Sequence, residues 1–335
     1  MKKKQISRIC IVDTVYTLFF YYLNYSIDEI NHTFFFISEG LPNLIRKKLP
    51  QYYFFKKRKT VFQRLLFRLS LRISSHFRWS FLQNKPIYGL DHLTFSSGII
   101  GNKTYTLLED APYIASFYFN SLAYKKNIKQ RASKVKCFFI DLLFGRVFLR
   151  PFGVNSQCKQ IVFSKNDLHP TLLGKNIQIK SLEQLWDGAS EQKKETILQL
   201  FDINNDDIAF LSSKSIIIFT QPLFKDNITS EEEQVQIYDE IIKQYPAQEV
   251  LLKPHPRDSI DYSFYFPNIA IIRKNIPSQL LDLLDIKFKK AVTISSSSVL
   301  SFHYDIEIDW IGTKIHPKIE AAWGEIQMPN LTHAH

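Results

Sequence analysis

The sequence predicts an α/β protein made of two doubly wound, mostly parallel sheets joined by a polar connecting segment. Three observations predict it. Short apolar runs rich in β-branched or aromatic residues recur along the chain, among them RICIVD (8–13), TFFFIS (33–38), SIIIFT (215–220), EVLLKP (249–254) and KAVTIS (290–295). Helical stretches stand between many of them, and that alternation sets parallel strands side by side. A polar stretch of mixed charge, 169–207, separates the two halves. The expected organisation is an N-terminal domain over 1–160, a helical linker over 161–212 and a C-terminal domain over 213–335.

In the first half, RICIVD and TFFFIS are read as buried strands that each lead towards a helix or turn. A basic helix follows, then PIYGLDHLTF (86–95) with a turn at Gly89, then the strand KTYTLLED (103–110), which ends in two carboxylates. The aromatic stretch up to about residue 163 is expected to be rich in strands. In the second half, SEEEQVQIYDEIIKQY (230–245) is a helix, because Ser230 and Glu233 form a capping box and acids fill its first turn. IAIIRK (269–274) and IEIDWIG (306–312) read as strands. PSQLLDLL (277–284) opens a helix on proline, and SSSVLSFHY (296–304) reads as another helix.

With 335 residues and 45% apolar composition, the chain can bury a sizeable core. Its three cysteines, Cys10, Cys137 and Cys158, are far apart and odd in number, which excludes a disulfide framework and a zinc module and points to a reducing compartment. The apolar stretch near the start is interrupted by Asp13. The uncharged run from Thr14 to Ile27 is too short and too polar at its end to span a bilayer, so a buried strand running into a helix is expected. A cytoplasmic location is expected.

Net charge is +11, and its placement is uneven. Between Asn43 and Lys85 there is no Asp or Glu. The same stretch holds RKK (46–48), KKRK (56–59), Arg64, Arg68, Arg72 and Arg78, interleaved with Leu65, Leu66, Phe67, Leu69 and Ile73. This is a basic amphipathic helix. It predicts a peripheral contact of 46–78 with an anionic surface on the inner face of the cytoplasmic membrane; the bland alternative is a solvated helix face. No nucleic-acid module accompanies it, so no nucleic-acid partner is expected.

In open α/β sheets, ligands bind beyond the carboxyl ends of the strands. Three polar clusters fall at such ends. In Lys253-Pro254-His255-Pro256-Arg257, the prolines bias their neighbours to extended geometry and hold the imidazole in one direction. A histidine so held can donate a proton or hydrogen bond to a leaving phosphate, and Lys253 or Arg257 would raise the local positive potential. Four serines, 295–298, between a strand and a helix start supply hydroxyls and free N–H groups for an anion. Glu109-Asp110 ends TYTLL; a carboxylate there can act as general base, and its acidic neighbour would raise its pKa. Asp226, in the loop after SIIIFTQP, is a further candidate carboxylate, and Asp91-His92 are candidate sugar contacts. No metal set is expected: Glu231–Glu233 start a helix, and Asp206-Asp207 lie in the linker. P-loop, GxGxxG and Ser/His/Asp patterns are absent.

The motifs TYTLLEDA, LLKPHPRD and VTISSSSVL, in that order, resemble the acidic, HP and serine-pair motifs of bacterial GT-B sialyltransferases. With VDTVYTLFFYYL, NHTFFFISEGLP and YGLDHL, the chain is most similar to glycosyltransferase family 52, over most of its length. The resemblance implies two Rossmann-like domains with parallel sheets facing a central cleft. It implies inverting transfer from CMP-sialic acid to a galactoside hydroxyl of a lipooligosaccharide or capsular glycan, with the CMP-sugar as co-substrate and no cofactor or metal. Asp110 or Asp226 would be the base, and His255 the acid or hydrogen-bond donor at the phosphate. Ser296, Ser297 and Ser298 would hold that phosphate. Lys253, Pro256, Gln279, Glu109, Asp91 and His92 complete the expected substrate contacts. The chain departs from the family at Ala111, where glycine is usual, and at Gln279, where related enzymes often carry glutamate. Alternative readings are a transferase using another CMP-nonulosonic acid or a UDP-sugar, a CDP-glycerol glycerophosphotransferase, or a non-enzymatic anionic-membrane binder. A homodimer is permitted.

Overall fold

The computed structural model describes residues 5–130, 133–272, 275–326 and 328. The chain divides at Ile197/Leu198 into two compact units, with the boundary inside one helix. The first unit runs β1 (Arg8–Ile11), α1 (Val15–Asn24), α2 (Ile27–Asn31), β2 (Thr33–Ile37), α3 (Asn43–Arg46), β3 (Tyr52–Phe54), α4 (Val61–Arg78), β4 (Ile87–Gly89), α5 (Ser96–Ile100), β5 (Tyr105–Leu108), α6 (Ile114–Asn120), α7 (Leu122–Gln130), α8 (Lys134–Phe144), β6 (Cys158–Phe163), β7 (Ile177–Ile179), α9 (Leu182–Asp187) and α10 (Glu191–Phe201). Its seven strands lie in the order β3-β2-β1-β4-β5-β6-β7, all parallel.

Strand alternation explains why these runs are apolar throughout. Ile9, Ile11, Phe36, Leu107, Ile161 and Phe163 pack into one core with Leu71 and Trp79 of the α4 region, Ile99 of α5 and Phe119 of α6. The intervening residues Cys10 and Phe35 are equally buried, and Phe35 meets Tyr21 of α1 edge to face. A parallel sheet covered on both faces requires such near-continuous apolar strands. Helix α1 is buried at every position from Val15 to Leu23, as a helix apolar all round must be. No helix among the described residues is long and apolar enough to cross a membrane.

The second unit runs α11 (Asn205–Ser212), β8 (Ile216–Phe219), α12 (Glu231–Ile242), β9 (Val250–Lys253), α13 (Tyr262–Tyr265), β10 (Ala270–Ile271), α14 (Ser278–Leu283), β11 (Lys290–Thr293), β12 (Glu307–Trp310) and α15 (Pro317–Trp323). Its five strands order as β10-β9-β8-β11-β12, again all parallel. The capping box at Ser230 and Glu233 starts α12 where the sequence places it. Ile237, Tyr238 and Ile241 of that helix then pack on Ile216, Ile218, Val250, Leu252 and Val292.

Three expectations change. About half of the aromatic stretch 111–163 is helical, as α6, α7 and α8, and among its described residues only β6 is a strand. The segment 161–212 is not purely a linker, because the end of β6 and all of β7 extend the first sheet. Strand β7, IQI, is only three residues long and lies within a polar stretch, so its alternation was too short to stand out. Finally, 296–304 forms only a short 3-10 turn, Ser297–Ser301, since serines compete for local backbone hydrogen bonds rather than extend a helix.

Gly89 controls how closely β4 meets β1. Its φ is +110°, and a Cβ there would lie 2.0 Å from the Ile11 carbonyl oxygen. That approach lets the Leu90 N–H bond the Ile11 carbonyl at 2.8 Å and aims the following Asp91-His92 beyond the sheet edge. Gly89→Ala adds a clash to a backbone conformation that L-residues avoid. It is expected to destabilise the protein by more than about 2 kcal/mol, measured by urea unfolding.

Candidate active site

The first unit gathers its polar groups beyond the carboxyl ends of the adjacent strands β1, β4, β5 and β6. His92 Nε2 lies 3.3 Å from Asp110 Oδ2, and both side chains are about one-fifth exposed. Thr14 and Thr17, at the start of α1, point hydroxyls at the Asp110 main chain and carboxylate, 3.4 and 3.5 Å away. The His92 ring is stacked on Phe152, with centroids 4.5 Å apart and planes at 9°. Burial alone would raise the pKa of Asp110, but the His92 hydrogen bond and charge, with Thr14 and Thr17, hold it below the usual carboxylate range. Burial lowers the pKa of His92, yet Asp110, Asp91 and Asp13 outweigh it and raise it overall. The two therefore form an ion pair with an accessible carboxylate.

Glu109 behaves oppositely, because adjacent strand-end residues point to opposite sides. It is 1% exposed, one oxygen accepts the Tyr16 hydroxyl, and the other, Oε2, meets no partner. Burial pushes its pKa up to about 7, with Ser164 and Tyr16 opposing. This corrects the expected order: of the two neighbours it is Glu109 that is raised and Asp110 that is lowered. Glu109 is also not presented to a ligand. Asp91 is likewise withdrawn. It is 2% exposed and accepts the Tyr105 hydroxyl at 2.6 Å and the Phe152 and Gly153 N–H groups at 2.7 and 2.8 Å. Its part is to seat Phe152 beneath His92, not to touch a sugar.

In the second unit, β9, β8 and β11 are neighbours, with Lys253, Phe219 and Thr293 level across them. His255 therefore lies beyond the carboxyl edge of the central strands. Its Nδ1 accepts the Arg257 N–H at 3.1 Å, which leaves the ring proton on Nε2, and its own N–H donates to Thr220 Oγ1 at 3.0 Å. Burial, then the charges of Arg257 and Lys253, lower its pKa to about 4 against a small opposing effect of Asp226. The ring is thus a neutral donor across the physiological range.

Asp226 grips the Arg257 guanidinium with both oxygens, at 2.7 and 3.0 Å, a bidentate pair that neutralises the carboxylate. That placement makes Asp226 a positioning residue for the HP loop. Lys253 also turns inward: its ammonium donates to the Ile276 carbonyl at 2.6 Å, and burial lowers its pKa to about 8. It fastens the segment entering α14, where Gln279 is buried, rather than facing a ligand. Pro256 is exposed. Ser296 accepts the Ser298 N–H at 3.2 Å and donates its own N–H to Thr293. The side chain of Ser297 lies outside the described residues. A 3-10 turn has little helix dipole, so any anion here must rely on hydroxyls and backbone N–H groups.

The sequence reading missed the group that holds His255 in place. Asp258 Oδ2 accepts from the Thr220 hydroxyl at 3.1 Å, Gln234 at 2.9 Å and Tyr262 at 2.9 Å. The available signal was an acid directly after KPHPR and a threonine closing SIIIFT. Asp13 was also missed. Its Oδ1 accepts the Ser38 N–H and hydroxyl and the Gly40 N–H, which ties β2 to the same edge.

Two Rossmann-like parallel sheets, each with its polar residues beyond the carboxyl edge, are the GT-B arrangement. The glycosyltransferase family 52 model matches residues 102–319, more than half of the chain, and the chain belongs to that family. An uncharacterized protein of Haemophilus influenzae is 32% identical over 246 residues, which are 73% of this chain and 74% of that protein. A 2,6-sialyltransferase of Photobacterium sp. JT-ISH-224, solved with CMP and lactose, is similar in structure with a TM-score of 0.57 at 13% identity, over 90% of this chain and 71% of that one. An α/β-galactoside α-2,3-sialyltransferase of Photobacterium phosphoreum gives 0.56 at 16% identity, over 92% and 90%.

The His92–Asp110 pair has a pH signature. Its contribution to stability is full below the unfolded histidine value near 6.5 and is lost as pH rises through the raised His92 pKa. On the acid side it is lost as pH falls through the depressed Asp110 pKa. His92 is expected to titrate above about 6.5 by histidine Cε1 NMR, and Asp110→Asn to bring that midpoint down. An unchanged midpoint in the variant would refute the pairing.

Proposed function

We propose that this glycosyltransferase is an inverting sialyltransferase, moving sialic acid from CMP-sialic acid to a galactoside hydroxyl of a lipooligosaccharide or capsular glycan. One observation carries the reading furthest: His255 is held neutral with Nε2–H free to donate, which suits a leaving nucleotide phosphate. Charge on that phosphate grows as the glycosidic C–O bond breaks, so a fixed donor helps most in the transition state. Asp110 takes the proton of the acceptor hydroxyl as the new C–O bond forms, and His92 keeps it ionised for that step. Ser296 and Ser298 offer further hydrogen bonds to the phosphate. Proton and charge are handled by side chains, so activity is expected to persist in EDTA. The Photobacterium 2,6-sialyltransferase, whose complex holds CMP as donor product and lactose as acceptor, supports these donor and acceptor classes.

The choice of Asp110 over Asp226 as base rests on the Arg257 clamp. His255→Ala and Asp110→Ala are each expected to lower kcat by about 10²–10³-fold in a CMP-release assay. Asp226→Asn, which only loosens the loop, is expected to cost less than about tenfold. Near-normal turnover in His255→Ala would sink the mechanism, and a larger loss in Asp226→Asn than in Asp110→Ala would reverse the base assignment. CMP is expected to raise the melting temperature; a rise with UDP and none with CMP would redirect the donor.

A peripheral membrane contact through 46–78 is part of the same proposal. On α4, Val61, Phe62, Leu66, Ile73 and Phe77 are exposed, beside the exposed charges of Arg64 and Arg78. Arg68 is not part of that face, since its guanidinium stacks on Phe148 at 4.6 Å. An exposed apolar stripe flanked by cations fits the surface of an anionic bilayer. Phe62→Ser/Phe77→Ser is expected to abolish flotation with phosphatidylglycerol vesicles; equal flotation of variant and parent would refute the contact.

A further inference from the structure

A cavity of about 550 Å³ opens at the amino-terminal edge of the first sheet, a strand length, roughly 13 Å, from the edge that holds Asp110. One wall comes from α4 and the turn after it, with Arg72, Ser75, Trp79 and Asn84; the other comes from the loop entering β5, with Asn102 and Lys103. The size is that of a small-molecule site. Its charge is one-sided for a reason visible in the sequence: from Asn43 to Leu108 the only acid is Asp91. Asp91 is buried and bound to Tyr105, Phe152 and Gly153. Arg72 donates to the amide oxygen of Asn102 at 2.9 Å, which aims the guanidinium without neutralising it. Among the described residues, no carboxylate lines the cavity. Burial lowers the pKa of both Arg72 and Lys103, the sign of cations held out of water without an anion.

We infer that this cavity is a second binding site, separate from the proposed transfer site, for a phosphorylated saccharide or glycerol headgroup. The Arg72 fork and the Lys103 point charge suit phosphate oxygens. Ser75, Asn84 and Asn102 offer hydrogen bonds to hydroxyls, and Trp79 offers an apolar wall to a sugar face. The headgroup can come from a soluble sugar phosphate or from a lipid presented at the surface of α4.

The Trp79 indole N–H, assigned by Trp79→Phe, reports occupancy in ¹⁵N NMR of the full chain. Glucose 6-phosphate and glucose serve as soluble probes, and phosphatidylglycerol and phosphatidylcholine bicelles as lipid probes. A saturable shift with glucose 6-phosphate but not glucose assigns the site to soluble phosphosugars. A shift with phosphatidylglycerol alone among the four probes assigns it to a lipid headgroup. In either case Arg72→Gln/Lys103→Gln is expected to weaken binding at least about tenfold. Ser75→Trp, which fills the cavity and keeps both cations, covers the case in which the double variant does not fold. The inference is overturned if neither glucose 6-phosphate nor phosphatidylglycerol shifts Trp79, if glucose and the net-neutral phosphatidylcholine shift it equally, or if both variants bind as the parent does.

Discussion

Both units depend on one constraint: a carboxylate drawn out of water must be satisfied by hydrogen bonds, and the buried Asp91 and the half-buried Asp258 are each satisfied by the loop they fasten. Asp91 takes the Tyr105 hydroxyl and the Phe152 and Gly153 N–H groups. Asp258 takes Thr220, Gln234 and Tyr262, with the Ile260 N–H on its other oxygen. Leaving such a group unpaired away from water costs several kcal/mol, so the loop has one stable arrangement. In the first unit that arrangement puts His92 on the ring of Phe152. In the second it sets His255 against the Arg257 N–H. Neither acid is available to a substrate, and both make the neighbouring histidine usable.

The two histidines are then tuned in opposite directions by what surrounds them. His92 has three carboxylates acting on it, and they outweigh the cost of burial. His255 has two cations acting in the same sense as burial. One side chain is therefore a cationic partner of Asp110, the other a neutral ring, without change of residue type. Glu109 shows how local such tuning is. It sits next to Asp110 in the chain, yet its shift arises from burial beside Tyr16 and Ser164 and runs the other way.

Much of this was legible in the chain. The central strands, the capped α12, the HP histidine, the acidic strand end and the buried α1 follow from apolar periodicity, capping chemistry and proline stiffness, all of them local. Edge strand β7 and the helices α6, α7 and α8 did not follow. A three-residue strand is too short to show a period, and aromatic runs such as FYFN and KCFFIDLLF suit either state until their partners are known.

The sequence by itself determined that an acid, a histidine and a serine cluster would stand at strand ends in this order, because strand lengths and turn residues are local properties. Only the tertiary structure decided what each of them faces. Asp110 faces His92, whereas Asp226 is clamped by Arg257; Lys253, Asp91 and Glu109 turn inward, and Thr220, Asp13 and Asp258 enter the site. The physical reason is that a charged group's role depends on its cross-strand and cross-loop partners. Those partners lie up to 96 residues away in the chain, and they are set by register and packing, which no short stretch encodes.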